Sequence, residues 1–181
     1  MLARLSFARH AARFALLLPL LAGCAPPRDA FAPPCPQPSF PRALADLTRY
    51  NGSGRDLTDL VLRARLLRLD GSCEAGDTKG TVVANITVSV EAVRGPALSG
   101  NQADLPVFVA VMDGGRILDK KIYTLRASFD SGVQKVIAKS PRISVVLPVS
   151  QAKSAAAYGI VAGFQMTPAE LAVSQGRSAA Q

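Results

Sequence analysis

Residues 81–93 read Thr-Val-Val-Ala-Asn-Ile-Thr-Val-Ser-Val-Glu-Ala-Val, and this stretch decides the fold class. Apolar and polar side chains alternate along it, which is the two-residue period of a β-strand with one buried face. The pattern predicts an antiparallel strand that faces a core on one side and solvent on the other. The apolar face comprises Val82, Ala84, Ile86, Val88, Val90 and Ala92, and the polar face comprises Asn85, Thr87, Ser89 and Glu91.

The sequence after this strand predicts further strands and one helix. Residues 105–112 are almost continuously apolar, which is typical of a central strand covered on both faces. Asp113-Gly114-Gly115 then supplies the residues of a tight hairpin turn. A capping box at Thr167-Pro168-Ala169-Glu170 predicts a short helix through about Val173. Alternating patterns predict four more strands, at residues 116–129, 133–138, 143–147 and 158–164.

Residues 57–69 fit either a helix or a strand. The spacing of Leu57, Leu60 and Leu67 suits a helix, whereas Leu60, Leu62, Ala64 and Leu66 alternate with arginines as in a strand. The Asp70-Gly71-Ser72 turn signal and the strand-rich context favour a strand, bulged at Leu66-Leu67 where the alternation slips. Arg63, Arg65 and Arg68 would then form a basic face, which is either simply solvated or a contact for a partner or anionic lipid.

About seven short strands joined by Gly, Pro and Asp turns predict an all-β, antiparallel two-sheet sandwich spanning residues 57–173. Tyr158, which follows Leu147-Pro148, resembles the tyrosine corner of immunoglobulin-like and fibronectin-III-like domains. The small polar residues 174–181 predict a disordered tail. The aromatic side chains are expected to fill the core rather than line a ligand cavity, namely Phe108, Tyr123, Phe129 and Phe164.

The N-terminus has the charge and hydropathy order of a secretory signal peptide. Basic residues precede an apolar run at 14–21, which is too short to span a membrane, so residues 1–23 are predicted to be cleaved. The ending Leu21-Ala22-Gly23-Cys24 resembles the lipobox of bacterial lipoproteins, which implies lipidation of Cys24. An ordinary signal peptide with a chance cysteine is the alternative. In bacterial lipoproteins an Asp directly after the lipidated cysteine signals retention in the inner membrane. Ala25 occupies that position here, so the resemblance implies sorting to the outer membrane.

A proline-rich linker is predicted to join the lipidated cysteine to the sandwich. Seven prolines lie in residues 25–41, a density typical of a semi-extended spacer, and the linker is assigned to residues 24–56. Once Cys24 is lipidated, Cys35 and Cys73 are the remaining cysteines. In the oxidising environment outside the inner membrane they are expected to form a disulfide, with free or redox-active thiols as the alternative.

Composition argues against several classes of function. The single histidine, His10, lies in the predicted leader, so the mature chain lacks the imidazole that Ser-His-Asp and Cys-His catalysis and histidine-based metal sites need. The aspartates show neither a calcium-loop spacing nor a glycosidase-type pair. Beyond the leader, 18 basic and 13 acidic residues leave a net charge of +5. No cofactor, metal or nucleic-acid partner is expected.

Four short stretches resemble a group of alphaproteobacterial lipoproteins for which no activity is established: residues 94–97, 103–106, 117–120 and 163–168. The sequence therefore predicts a membrane-anchored envelope lipoprotein on the periplasmic side of the outer membrane, with a non-enzymatic binding or assembly role. The expected partner is an envelope protein or the cell wall, bound by the three arginines and by the loop from Arg94 to Asn101. A carrier of a small apolar ligand or lipid and a histidine-free hydrolase are the alternatives.

Overall fold

The computed structural model describes residues 34–178 of the chain. The predicted signal peptide at residues 1–23, the predicted lipidation site Cys24 and residues 25–33 of the predicted linker lie outside the described residues. Residues 179–181 lie outside them as well.

Residues 34–178 form nine strands, one α-helix and three short 3-10 turns. The helix, α1, spans Pro168–Ser178, and the turns lie at Arg42–Leu44, Leu57–Asp59 and Ala155–Ala157. The strands are β1 (Pro38–Ser39), β2 (Asp46–Tyr50), β3 (Leu60–Ala75), β4 (Thr81–Arg94), β5 (Gln102–Asp113), β6 (Arg116–Ser128), β7 (Lys135–Lys139), β8 (Ile143–Pro148) and β9 (Gly159–Phe164).

The strands form two sheets that pack face to face. One has four strands in the order β1-β9-β5-β6, and the other has the order β2-β3-β4, with β7 and β8 one after the other along the far edge of β4. Every pairing is antiparallel except the two-residue pairing of β1 with β9. The structure therefore confirms the predicted antiparallel two-sheet sandwich with a short C-terminal helix.

The core lies between the sheets and follows the predicted alternation. All six residues assigned to the apolar face of residues 81–93 are buried in it. The other face was predicted to meet solvent, but Asn85 and Ser89 are buried there because β4 lies between β3 and the pair β7 and β8. Phe129 and Phe164 are each 1 % exposed and fill its centre, and Tyr123 packs against it from a partly buried position. The prediction that Phe108 fills the core is wrong. Phe108 lies between core residues Val107 and Val109, so its side chain is buried on the outer side of β5 instead.

Local signals in the sequence also produced the predicted turns and contacts. Gly114 and Gly115 adopt φ values of 54° and 86°, which allows the two-residue hairpin turn between β5 and β6. The Tyr158 hydroxyl donates a hydrogen bond of 2.9 Å to the carbonyl of Pro148, the contact expected of a tyrosine corner. The Glu170 carboxylate accepts a 2.9 Å bond from the Thr167 backbone N–H, which completes the capping box.

The boundaries of the sandwich are wider than predicted. β1 and β2 lie in the sheets, so the folded chain begins before residue 57 and the linker does not extend to residue 56. At the other end, α1 continues to Ser178, so residues 174–178 are helical rather than part of a disordered tail as predicted. Tertiary contacts explain the longer helix, because Ser174 is buried and its hydroxyl donates a 2.9 Å bond to the carbonyl of Ala43.

The disulfide between Cys35 and Cys73 is present, with 5.5 Å between the two Cα atoms. It confirms the predicted pairing over the alternative of two free thiols. Cys35 lies three residues before β1 of the four-stranded sheet, whereas Cys73 belongs to β3 of the five-stranded sheet. The bond therefore joins the N-terminal edge of one sheet to the other sheet.

Candidate functional site

A β-bulge places the three predicted arginines on one face. Each arginine lies beside a residue of β4: Arg63 beside Val93, Arg65 beside Glu91 and Arg68 beside Ser89. These three β4 residues alternate regularly, so they lie on the outer side of the five-stranded sheet. The register shifts between Leu66 and Arg68, so Leu67 is the extra residue of the bulge. Without this shift, Arg68 would point towards the core. The prediction of a bulged strand with a basic outer face is confirmed.

Two lysines that the sequence analysis did not single out complete this surface. β7 pairs with the other edge of β4, which sets Lys135 beside Val93 and Lys139 beside Ser89. Ile137 lies between them beside Glu91 and is 59 % exposed. The alternation Lys-Val-Ile-Ala-Lys was the available signal, but only the pairing with β4 places it near the arginines. We call this surface the β3–β7 face, comprising Arg63, Arg65, Arg68, Glu91, Lys135, Ile137 and Lys139.

Carboxylates neutralise part of the positive charge of the β3–β7 face. Arg65 lies 2.7 Å from Asp46, Arg68 lies 2.9 Å from Asp70, and Lys135 lies 3.2 Å from Glu91. The hydrogen bond to Asp46, more than its charge, raises the pKa of Arg65 above the ordinary value. Such exposed pairs are worth about 0–1 kcal/mol each, so an incoming anion can compete with them.

Arg63 and Lys139 are the two cations of the face that form no ion pair with the rest of residues 34–178. Together with the three carboxylates that pair with them, Asp46, Asp70 and Glu91, the five cations of the face carry a net charge of about +2 at neutral pH. The unpaired cations lie on opposite strands, one on β3 and the other on β7. They are the groups most available to an anionic partner.

Arg94, the fourth predicted binding residue, lies apart from this face. Its guanidinium donates to the carbonyl of Gly100 at 3.1 Å and lies 5.8 Å from the centre of the Phe129 ring. The loop that follows is tied to β3, because the backbone N–H of Gly95 donates to Val61 and that of Ala97 to Leu60. Arg94 therefore orders a rigid loop at one end of the sandwich.

A cleft of about 320 Å³ opens between the free edges of β6 and β8. Val111, Leu147 and Tyr158 form its apolar floor, and Leu118 and Val146 on the rim are 46 % and 62 % exposed. Asp119 and Lys121 supply charge at the mouth. The volume lies at the lower end of the range for small-molecule sites, about 300–1,000 Å³.

The loop before β9 contains a Ser-x-x-Lys spacing, Ser150 to Lys153, which in some hydrolases joins a serine nucleophile to a lysine base. Here the two residues bond each other through their backbones. The Lys153 ammonium lies 2.6 Å from Asp113 and 4.2 Å from the centre of the Tyr158 ring. The hydrogen bond to Asp113 raises the pKa of Lys153, which is opposite to what a lysine base requires.

A shallower cavity of about 210 Å³ lies between β2 and α1. Arg49 crosses it to reach the Glu170 carboxylate at 2.8 Å and also donates to the carbonyl of Asp104. Burial raises the pKa of Glu170, but hydrogen bonds from the Thr167 backbone and from Arg49 outweigh it and hold the pKa below the usual 4.5. These contacts hold α1 against β2, so we assign the polar side chains of this cavity a structural role.

Within residues 34–178, His, Cys, Asp and Glu form no cluster of three or more that is suited to a metal ion. No helix in this range is both long enough and apolar enough to cross a bilayer. No family model matches the chain, and comparisons with curated proteins and with solved structures found no match.

Proposed function

We propose that this protein is a lipid-anchored lipoprotein of the cell envelope, held at Cys24 on the periplasmic side of the outer membrane. Its sandwich domain has a non-enzymatic role and binds an envelope protein or the cell wall through the β3–β7 face. The observation that carries the binding role is the placement of five cations from two separate strands on one outer surface.

The disulfide supports the export of the domain. Disulfides form and persist in oxidising compartments and are rare in the cytosol. The Cys35–Cys73 bond therefore supports the proposed location in the envelope, as do the predicted leader and its lipobox-like ending.

The disulfide also limits the reach of the proposed anchor. Cys24 and Cys35 are 11 residues apart, and Cys35 is bound to β3. A fully extended chain of that length spans at most about 40 Å. The domain would stay within this distance of the bilayer, where a high effective concentration makes even weak contacts with neighbouring envelope components significant.

The chemistry of the described residues favours binding over turnover. The chain beyond residue 23 has no histidine, and the one Ser-x-x-Lys spacing contains a lysine whose pKa is raised by Asp113. A general base must give up its proton near the working pH, and this ammonium is held in the protonated form.

The binding role is tested by reversing the two unpaired cations, Arg63→Glu with Lys139→Glu. Cells are treated with a short amine-to-carboxyl crosslinker. The amount of crosslinked partner should fall at least about tenfold in the variant, because two charge contacts are lost. The matched control reverses two exposed, unpaired cations elsewhere, Lys79→Glu with Arg116→Glu, and should capture as much partner as the wild type. Equal loss in both variants, or in neither, would contradict the proposed surface.

The anchor is tested separately with Cys24→Ser. Cells are labelled with a clickable palmitate and fractionated, and the variant should take up no label and leave the membrane fraction. A variant that stays labelled and membrane-bound would rule out lipidation at this cysteine.

The cleft between β6 and β8 supports a second candidate, a carrier of a small apolar ligand. Its apolar floor and the exposed side chains of Leu118 and Val146 offer apolar surface to a short acyl chain. The full chain should then co-purify with an extractable lipid, and Leu118→Glu should reduce the amount recovered. Equal recovery from both proteins would reject this candidate.

A further inference from the structure

The four-stranded sheet is protected differently at its two sides. At one side, β6 leaves its outer backbone edge unpaired over 13 residues. Lys120 and Lys121 lie along it, and a register shift around Leu118 distorts the strand. Charged side chains and bulges are common devices that prevent another strand from adding to an edge.

At the other side, β9 carries no such device. Gly159–Phe164 contains no charged residue and no proline, and its pairing with β5 is regular throughout. An uncharged, regular edge of this kind is a template for strand addition. Two β9 strands from separate molecules would place only uncharged side chains opposite each other, so a second copy of this chain fits the edge without charge repulsion.

In the structure, this edge is covered by β1. Pro38 and Ser39 pair with Ile160 and Val161, and the proline ring offers no N–H to a further strand. Two paired residues form a weak strand by themselves, so contacts outside the sheet must hold β1 in place.

Two features of β3 provide those contacts. The disulfide binds Cys35, three residues before β1, to Cys73. Gly71 lies two residues away on the same face of β3, and a Cβ atom there would approach the Pro38 ring to 3.3 Å. Gly71 has no positive φ, so its backbone accepts any side chain and its lack of one makes room for Pro38.

We propose that residues 35–39 form a disulfide-held cover over the edge of β9, and that this edge pairs with β9 of a second copy when the cover is displaced. Reduction of the disulfide by a dithiol transfers two electrons and two protons, yields the Cys35 and Cys73 thiols, and leaves the reductant as a disulfide. The intact bond therefore keeps the chain monomeric. This inference does not depend on the proposed function.

The test uses the full chain in detergent micelles, with its mass measured by light scattering after subtraction of the detergent. Gly71→Val, which pushes Pro38 away while leaving both cysteines intact, should convert the monomer to a dimer. Amide hydrogen exchange in residues 159–164 should accelerate at least tenfold in any remaining monomer. The matched control is Ser72→Val, which adds the same side chain one residue further along β3, on the opposite face, and should stay monomeric.

Two further variants make the result specific to the edge of β9. Cys35→Ser with Cys73→Ser should dimerise like Gly71→Val, as should the wild type treated with dithiothreitol. Adding Val161→Lys to Gly71→Val should restore the monomer, because it gives β9 the charge that protects β6. The proposal is overturned if the first two variants stay monomeric with wild-type exchange in β9, or if Val161→Lys fails to restore the monomer.

Discussion

The two halves of β3 differ in what holds them, although they belong to one continuous strand. In the first half, Leu60–Leu66, four alternating apolar side chains are buried and neighbouring strands pair on both sides. In the second half, Arg68–Ala75, only Leu69 and Cys73 are partly buried, and β4 is the neighbour along its length. The first half is held by the core, whereas the second is held by the disulfide and the ring of Pro38.

The difference shows how a covalent bond substitutes for burial. A fully buried leucine contributes about 1.5–3 kcal/mol. A crosslink across the 38-residue separation of Cys35 and Cys73 contributes up to about 4 kcal/mol by restricting the unfolded chain. One disulfide can therefore stabilise a polar strand segment that buries too little to remain in place by itself.

The largest effect is expected in the first half of β3. Leu62 is completely buried, so Leu62→Ala leaves a cavity in the core and should lower the free energy of unfolding by about 4 kcal/mol. Urea denaturation monitored by far-ultraviolet circular dichroism measures this loss. The adjacent exposed position is the control, and Arg63→Ala should change stability by about 0.5 kcal/mol or less.

The next largest effect is expected in the second half. Replacing both cysteines, Cys35→Ser with Cys73→Ser, should lower the free energy of unfolding by about 3 kcal/mol. Hydrogen exchange should also locate the change, with protection lost in residues 68–75 and retained in residues 60–66. Equal loss along the whole strand would show that its two halves unfold together and would break the comparison.

A smaller, pH-dependent effect on stability is expected at α1. This helix is held by Glu170 to Arg49 of β2, and β2 pairs with the first half of β3. Because the folded pKa of Glu170 lies below 4.5, its ionised form stabilises the protein above that pH. This stabilisation is lost as the pH falls through the folded pKa. Glu170→Gln should therefore cost about 1 kcal/mol at pH 7 and flatten the decline in stability as the pH falls below about 4.5. A variant with the wild-type pH profile would exclude this contribution.

The smallest effect is expected at the bulge between the halves. Leu67 is 42 % exposed, so Leu67→Ser should change the free energy of unfolding by about 0.5 kcal/mol or less. Leu66 is 3 % exposed, and Leu66→Ser should cost more than about 2 kcal/mol. Thermal denaturation of the two variants compares the positions directly, and similar losses would place the bulge elsewhere.

Much of the fold and part of the candidate site were predictable because their signals are local. Alternation predicted the buried face of β4, the slip at Leu66-Leu67 predicted the bulge, and the Gly114-Gly115 pair predicted a hairpin. The bulge in turn predicted that Arg68 shares a face with Arg63. The contributions of Lys135 and Lys139 could not be predicted, because they depend on which strand β7 joins.

Local sequence specifies the period of the strands, the turns between them, the cap of α1 and the two cysteines available for one disulfide. Each of these follows from side-chain pattern or backbone preference over a few residues. Three other features arise from packing in the folded chain: β1 covers β9, α1 continues to Ser178 on a buried contact, and β7 completes the β3–β7 face. Those features depend on contacts between residues far apart in the chain, which no local pattern specifies.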